Sequence, residues 1–232
     1  MKNKLGSLVI IYFMLAAVDV YAQGSLKGRV LFDGTPPPVE KVEVKSDVPV
    51  CGMHQDVSKI SLGADQGVAN AVVRIIGADG IAEAKKGHLD QVNCQFVPHV
   101  QVVPIGSTLV ITSSDSVLHN THAFREDGST AFNIAVPIVG MEINKKLTKP
   151  GILKLRCDAG HTWMSGYIVV LDEAYYAITD KDGNFTIEGI PRGQYEMEIW
   201  QEWLGKIKQP VTIKEGASEV NITLKEHQQT AQ

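Results

Sequence analysis

The chain has 232 residues, 44% of them hydrophobic and 21% charged, which excludes a disordered or fibrous protein and leaves room for one or two packed cores. Its net charge of -4, with both signs interspersed and no long Lys/Arg run, offers no basic face, so nucleic acid is not an expected partner. At the start, Lys2 and Lys4 precede an apolar run over 5–18, and Val20-Tyr21-Ala22 supplies small residues at a cleavage point. Residues 1–22 therefore read as a secretory signal peptide, with an uncleaved anchor as the alternative. The apolar run is short for a membrane span of roughly 20 residues. The mature chain is expected to begin near Gln23, without a membrane span, in the periplasm or another exported location.

From there the chain is predicted to be all-β. Short segments rich in Val, Ile, Thr and Tyr fall at 26–32, 69–76, 95–104, 107–112, 152–157, 167–171, 184–187 and 195–200, separated by Gly, Asp and Pro turn signals. The only helix expected is a brief one over 81–86. Pro36-Pro37-Pro38 and 61–67 read as loops, and Asp180-Lys181-Asp182-Gly183-Asn184 as a hairpin turn, since no helices flank it and its glycine comes too early for a calcium loop. The tail 227–232, with His227, is expected to be flexible, and His88 solvent-exposed.

Three stretches share one character: Gly28-Arg-Val-Leu-Phe-Asp-Gly34, Gly67-Val-Ala-Asn-Ala-Val-Val73, and the run from Ala177 through Gly183 and Gly189 to Tyr195. Together they resemble a carboxypeptidase-regulatory-like (transthyretin-like) β-sandwich in two pieces. The resemblance implies a discontinuous sandwich from 23–85 and 173–226, chain ends together, with a second β domain over 86–172 inserted in it or packed against it.

Within the insert, the run from Phe96-Val-Pro98 through Gly106 and Asp115 ends in His119-Asn120, and later comes Cys157-Asp-Ala-Gly-His161-Thr-Trp-Met164. These two stretches resemble the ligand-bearing parts of plastocyanin-like cupredoxins, Greek-key β-sandwiches that hold one copper ion. Carried over residue by residue, the resemblance implies His119, Cys157, His161 and Met164 as ligands. His122 is the alternative to His119, which is preferred because Asn120 completes the family pattern. The chemistry agrees: a thiolate and two imidazoles suit both Cu(I) and Cu(II), and a thioether makes a weak axial ligand. The Cys-x3-His-x2-Met spacing departs from plastocyanin, which has two residues and then four. It matches the end of the binuclear loop of cytochrome oxidase subunits, but Leu153 stands where the second cysteine would be, so a mononuclear site is expected. Trp163 and Tyr167 are read chiefly as packing aromatics and Asp158 as a turn residue.

Setting Cys157 aside leaves Cys51 and Cys94, an even pair that an exported chain is expected to bridge. Such a bridge would be worth about 3 to 4 kcal/mol by chain entropy. A second metal site from Cys51, His54, Cys94 and His99 is the alternative, and free thiols are a third. The expected function is one-electron transfer, not enzymatic catalysis, with redox proteins such as a cytochrome or an oxidoreductase as partners. Copper delivery or storage, or a metal-stabilised interaction module without redox role, are the alternatives. A multicopper enzyme would need more histidines than His54, His99 and His122, and a Cys157 nucleophile with His161 as base fits the neighbouring Met164 less well.

Overall fold

Alternating burial builds residues 23–226, which the computed structural model describes, into four sheets stacked as two sandwiches and a fifth, two-stranded sheet. The expected signal peptide and the tail with His227 lie outside the described residues. In the outer sandwich, Gln23–Asp33 is flanked by Asn184–Pro191 on one side, antiparallel, and by Gly216–Lys225 on the other, parallel, so the first and last strands are neighbours. The facing sheet runs Tyr176–Ile178, Val72–Ile76, Gly193–Gln201, Gly205–Ile213. Leu26, Val30, Ile75, Phe185, Ile190, Met197, Ile199 and Leu224 fill the space between them.

The inner sandwich pairs a five-stranded sheet, in the order Thr130–Val136, His119–Phe124, Gly151–Arg156, Ser165–Leu171, Val100–Pro104, with a four-stranded one, Ile143–Lys146, Thr108–Ile111, Lys86–Val92, Gln95–Val97. The chain passes repeatedly between the two sheets, three hairpins staying within one, and two pairs are parallel: Val100–Pro104 with Ser165–Leu171, and Lys86–Val92 with Thr108–Ile111.

Side chains alternate along each strand of the five-stranded sheet, and at Val100–Pro104, Ser165–Leu171 and Ile152 both faces carry buried apolar residues. Leu153, Leu155, Ile168 and Val170 point into the inner core. Their neighbours Ile152, Val169 and Leu171 point the other way and pack with Val100, Val102, Val72 and Trp200, joining the two sandwiches. Each such side chain contributes about 1.5–3 kcal/mol of burial. Residues 40–57, on the outer side of the expected domain boundary, form the hairpin Glu40–Glu43/His54–Val57, and give Val44 and Cys51 to the inner core.

The expected helix at 81–86 is absent. Ile81 bridges to Glu173, the Ala82 N–H bonds to the Asp172 carbonyl, and Lys86 opens a strand. Six residues cannot repay helix nucleation when a neighbouring backbone offers partners. The expected strand 95–104 divides at Pro98, which has no N–H for a ladder, and its two halves enter different sheets. The Asp180 turn is a corner and not a hairpin, since Tyr176–Ile178 and Asn184–Pro191 lie in different sheets. The Asp180 carboxylate accepts the backbone N–H groups of Asp182 and Asn184 there.

Candidate metal centre

His119 opens the strand His119–Phe124, whose period of two sends His119, Thr121 and Ala123 inward, while His122 and Phe124 are only partly buried on the opposite face. Residues three apart on a strand cannot share a face, so His119 and His122 cannot both enter the core. His122 lies outside, between the Asp158 carboxylate (2.6 Å from Nδ1) and the Thr130 hydroxyl (2.8 Å from Nε2). The same alternation carries Leu153, Leu155 and then Cys157 inward just beyond the end of Gly151–Arg156. The turn that follows uses Gly160 in the left-handed region (φ 95°) and closes with Met164 N–H donating to the His161 carbonyl, 3.0 Å.

Three donors converge as a result. Cys157 Sγ lies 3.6 Å from His161 Nδ1 and 3.8 Å from His119 Nδ1, and the two Nδ1 atoms are 3.0 Å apart. Both imidazoles are completely buried and Cys157 nearly so. Met164 is buried in the same apolar cluster as Cys157 and Trp163. Asn120 ties the two ligand segments together, its side-chain oxygen accepting the Asp158 N–H at 2.5 Å.

Each imidazole is held from behind by a carboxylate. His119 Nε2 lies 2.9 Å from Asp115, a buried residue that also accepts the N–H groups of Asn93 and Cys94. His161 Nε2 lies 3.0 Å from Asp47, which projects from the segment 40–57. With Nε2–H donated to a carboxylate, each Nδ1 presents its lone pair to the shared point, an arrangement suited to metal ligation. Neither carboxylate was among the expected site residues. Asp115 stood four places before His119, whereas Asp47 is 114 residues from His161 and carries no local signal.

Burial pushes the Cys157 thiol up, outweighing the backbone N–H groups of Asn120, Ala159 and His161 that favour the thiolate. Burial also holds His119 below its ordinary value, despite its hydrogen bond to Asp115. The metal-free pocket therefore favours a neutral thiol and a neutral His119, and uptake of a cation would displace the thiol proton. The donor set, one sulfur and two nitrogens in a buried cluster, fits copper. An opening of about 750 Å³ between the sandwiches reaches the ligand loop, lined by Cys157, Gly160, Met164, Tyr167 and Trp203 among others.

Cys51 and Cys94 are joined as a disulfide, with Cα atoms 5.3 Å apart. The alternative four-residue site with His54 and His99 is not assembled: His54 is exposed, and His99 lies between Glu202 (2.8 Å) and the Ser165 carbonyl (3.1 Å). His88 is exposed. Trp163 donates its indole N–H to the Cys94 carbonyl, 3.0 Å, with its ring 5.3 Å from that of His161. Tyr167 packs edge-on against Trp200 across the sandwich interface.

A family model described as polysaccharide lyase family 4, domain II, matches residues 162–220, mostly in the outer sandwich, where a carboxypeptidase-regulatory-like family was expected. No curated protein matches the chain. Among solved structures, a purple cupredoxin from Nitrosopumilus maritimus is 22% identical over 37% of this chain and 99% of its own, with a TM-score of 0.32. Amicyanin from Paracoccus versutus is 13% identical over 43% of this chain and 97% of its own, TM-score 0.33. A Cu-containing nitrite reductase from Thermus scotoductus is 23% identical over 42% of this chain but only 24% of its own, TM-score 0.33. The fold of this chain rests on its own sheet topology: all-β, one β-sandwich stacked on a second.

Proposed function

We propose that this chain is an exported, mononuclear copper protein that transfers single electrons, holding the ion through His119, Cys157 and His161 with Met164 as a weak fourth donor. The observation that carries the reading is the convergence of Cys157 Sγ and two imidazole Nδ1 atoms within 3.8 Å of one another in a buried pocket. Copper, when bound, supplies the exchange between two oxidation states. The chain's own residues do the rest: Asp115 and Asp47 orient the rings, Asn120 joins the two ligand segments, and the packed strands bury both imidazoles completely. A frame held by so many independent contacts changes little with oxidation state, which favours carrying electrons over transforming a substrate, so we read it as a carrier and not an enzyme.

Export is supported by the pattern of residues 1–22 and by the disulfide. Among the described residues no helix is long and apolar enough to cross a membrane. The partners of such a carrier are redox proteins, such as a cytochrome or an oxidoreductase.

The test is to load the chain with Cu(II) and record its optical spectrum and a reversible redox titration. An intense thiolate-to-copper band, cycling reversibly and lost in Cys157→Ser, is expected. No band in the wild type would overturn copper ligation by Cys157. A tightly bound ion that does not cycle would replace electron transfer by delivery or storage.

A further inference from the structure

The Cys51–Cys94 disulfide is not a distant staple. Its two sulfurs and a ring nitrogen of His161 all lie within 4.8 Å of one another, and Cys94 Sγ, a ring nitrogen of His119 and a carboxylate oxygen of Asp115 do the same. Both cysteines are buried, so His161 of the proposed copper centre is within reach of three sulfurs and His119 of two.

The backbones on either side of the bridge are held without it. Cys94 donates its N–H to Asp115 and accepts the Trp163 indole N–H. Cys51 closes a short helical turn onto the Asp47 carbonyl and accepts from the Gln55 side chain, which is itself bonded to Gln95 beside Cys94. Val44 anchors the same segment in the inner core. Breaking the sulfur–sulfur bond would thus leave two thiols facing each other against an imidazole. Two sulfurs and a nitrogen are a soft donor set, suited to Cu(I). Exposed Gly52 and Met53 give a reductant an approach beside Cys51.

We infer that the disulfide conceals a second copper site, opened by reduction, in which Cys51 and Cys94 bind one Cu(I) with His161 as the neighbouring third donor. The opening step is thiol–disulfide exchange with an external dithiol. Two electrons and two protons pass from the dithiol to the bridge, giving two thiols here and a disulfide on the reductant; uptake of Cu(I) then releases the thiol protons. The inference adds to the copper reading of His119, Cys157 and His161 but needs only the Cys51–Cys94 pair to stand, His161 being free to join it when the first centre is empty.

The experiment is an anaerobic titration with Cu(I) against a chromophoric chelator, before and after treatment with a dithiol that is then removed. The full chain is compared with Cys157→Ser. Wild type should take up one ion when oxidised and two when reduced, the second held there by Cys51 and Cys94 alone because the free lone pair of His161 serves the first, and Cys157→Ser should gain one ion on reduction. Alkylating the reduced Cys157→Ser chain should abolish that gain, a control that needs no further substitution to fold. An oxidised wild type that binds nothing, with the reduced Cys157→Ser chain still gaining one ion, would sink the proposed function and leave this inference standing. No gain on reduction in Cys157→Ser, with its two new thiols counted and its near-ultraviolet dichroism retained, would overturn the inference.

Discussion

At the scale of single residues, the candidate centre is a matter of which atom faces which. His119 and His122 are three places apart on one strand and face opposite ways, so His119→Ala should abolish the thiolate-to-copper band while His122→Ala leaves it, read by absorption after copper loading. The carboxylates behind the rings differ in exposure, Asp115 at 5% and Asp47 at 39% of their side-chain surface. Replacing a group that orients a ligand usually lowers metal affinity by about 10- to 100-fold. Asp115→Asn should fall in that range and Asp47→Asn should lose less, because water screens and replaces an exposed partner; a chelator competition assay ranks them. The ligand loop was legible in the sequence because Cys157, His161 and Met164 are local. Asp47 was not, since its contact with His161 joins segments that meet only after folding, and Asp115, though only four places before His119, carries no spacing that marks it as a partner.

At the scale of elements, the strand period governs the result. The run Ile168-Val169-Val170-Leu171 carries apolar residues on both faces, and the structure uses both: Ile168 and Val170 in the inner core, Val169 and Leu171 against the outer sandwich. Ile168→Ala should cost about 2–5 kcal/mol through the cavity it leaves, measured by denaturant unfolding. A loss below about 1 kcal/mol would mean that this strand is not packed between two layers. Several strands escaped sequence reading, the ligand-bearing His119–Phe124 among them; two of these, Gly205–Ile213 and Gly216–Lys225, expose one face and carry charge there, so their apolar alternation is thin. The short stretch at 81–86 misled in the opposite direction, its helical composition being overridden by backbone partners at Asp172 and Glu173.

At the scale of the whole molecule, the two sandwiches are joined by an apolar seam and by polar contacts across it, among them that of His99 with Glu202. Burial opposes charge on His99, but the Glu202 hydrogen bond and charge, with the Ser165 carbonyl, prevail and raise its pKa above the ordinary 6.5. A raised value means that protonation favours the folded state. The contribution is complete below 6.5 and disappears as pH rises through the folded value. Thermal unfolding of the wild type should therefore lose up to about 1 kcal/mol relative to Glu202→Gln on passing through that window, and parallel curves for the two would remove the pair as a pH-sensitive contact. What the sequence determined by itself was local: the β period, the turn chemistry, the spacing of the ligand loop and an even pair of cysteines left for a bridge. Only the tertiary structure decided which histidine faces inward, which carboxylates hold the rings, and that the disulfide lies against the same imidazoles. Periodicity and spacing are properties of neighbouring residues, whereas contacts such as that of Asp47 with His161 depend on how whole sheets and their connections come to rest on one another.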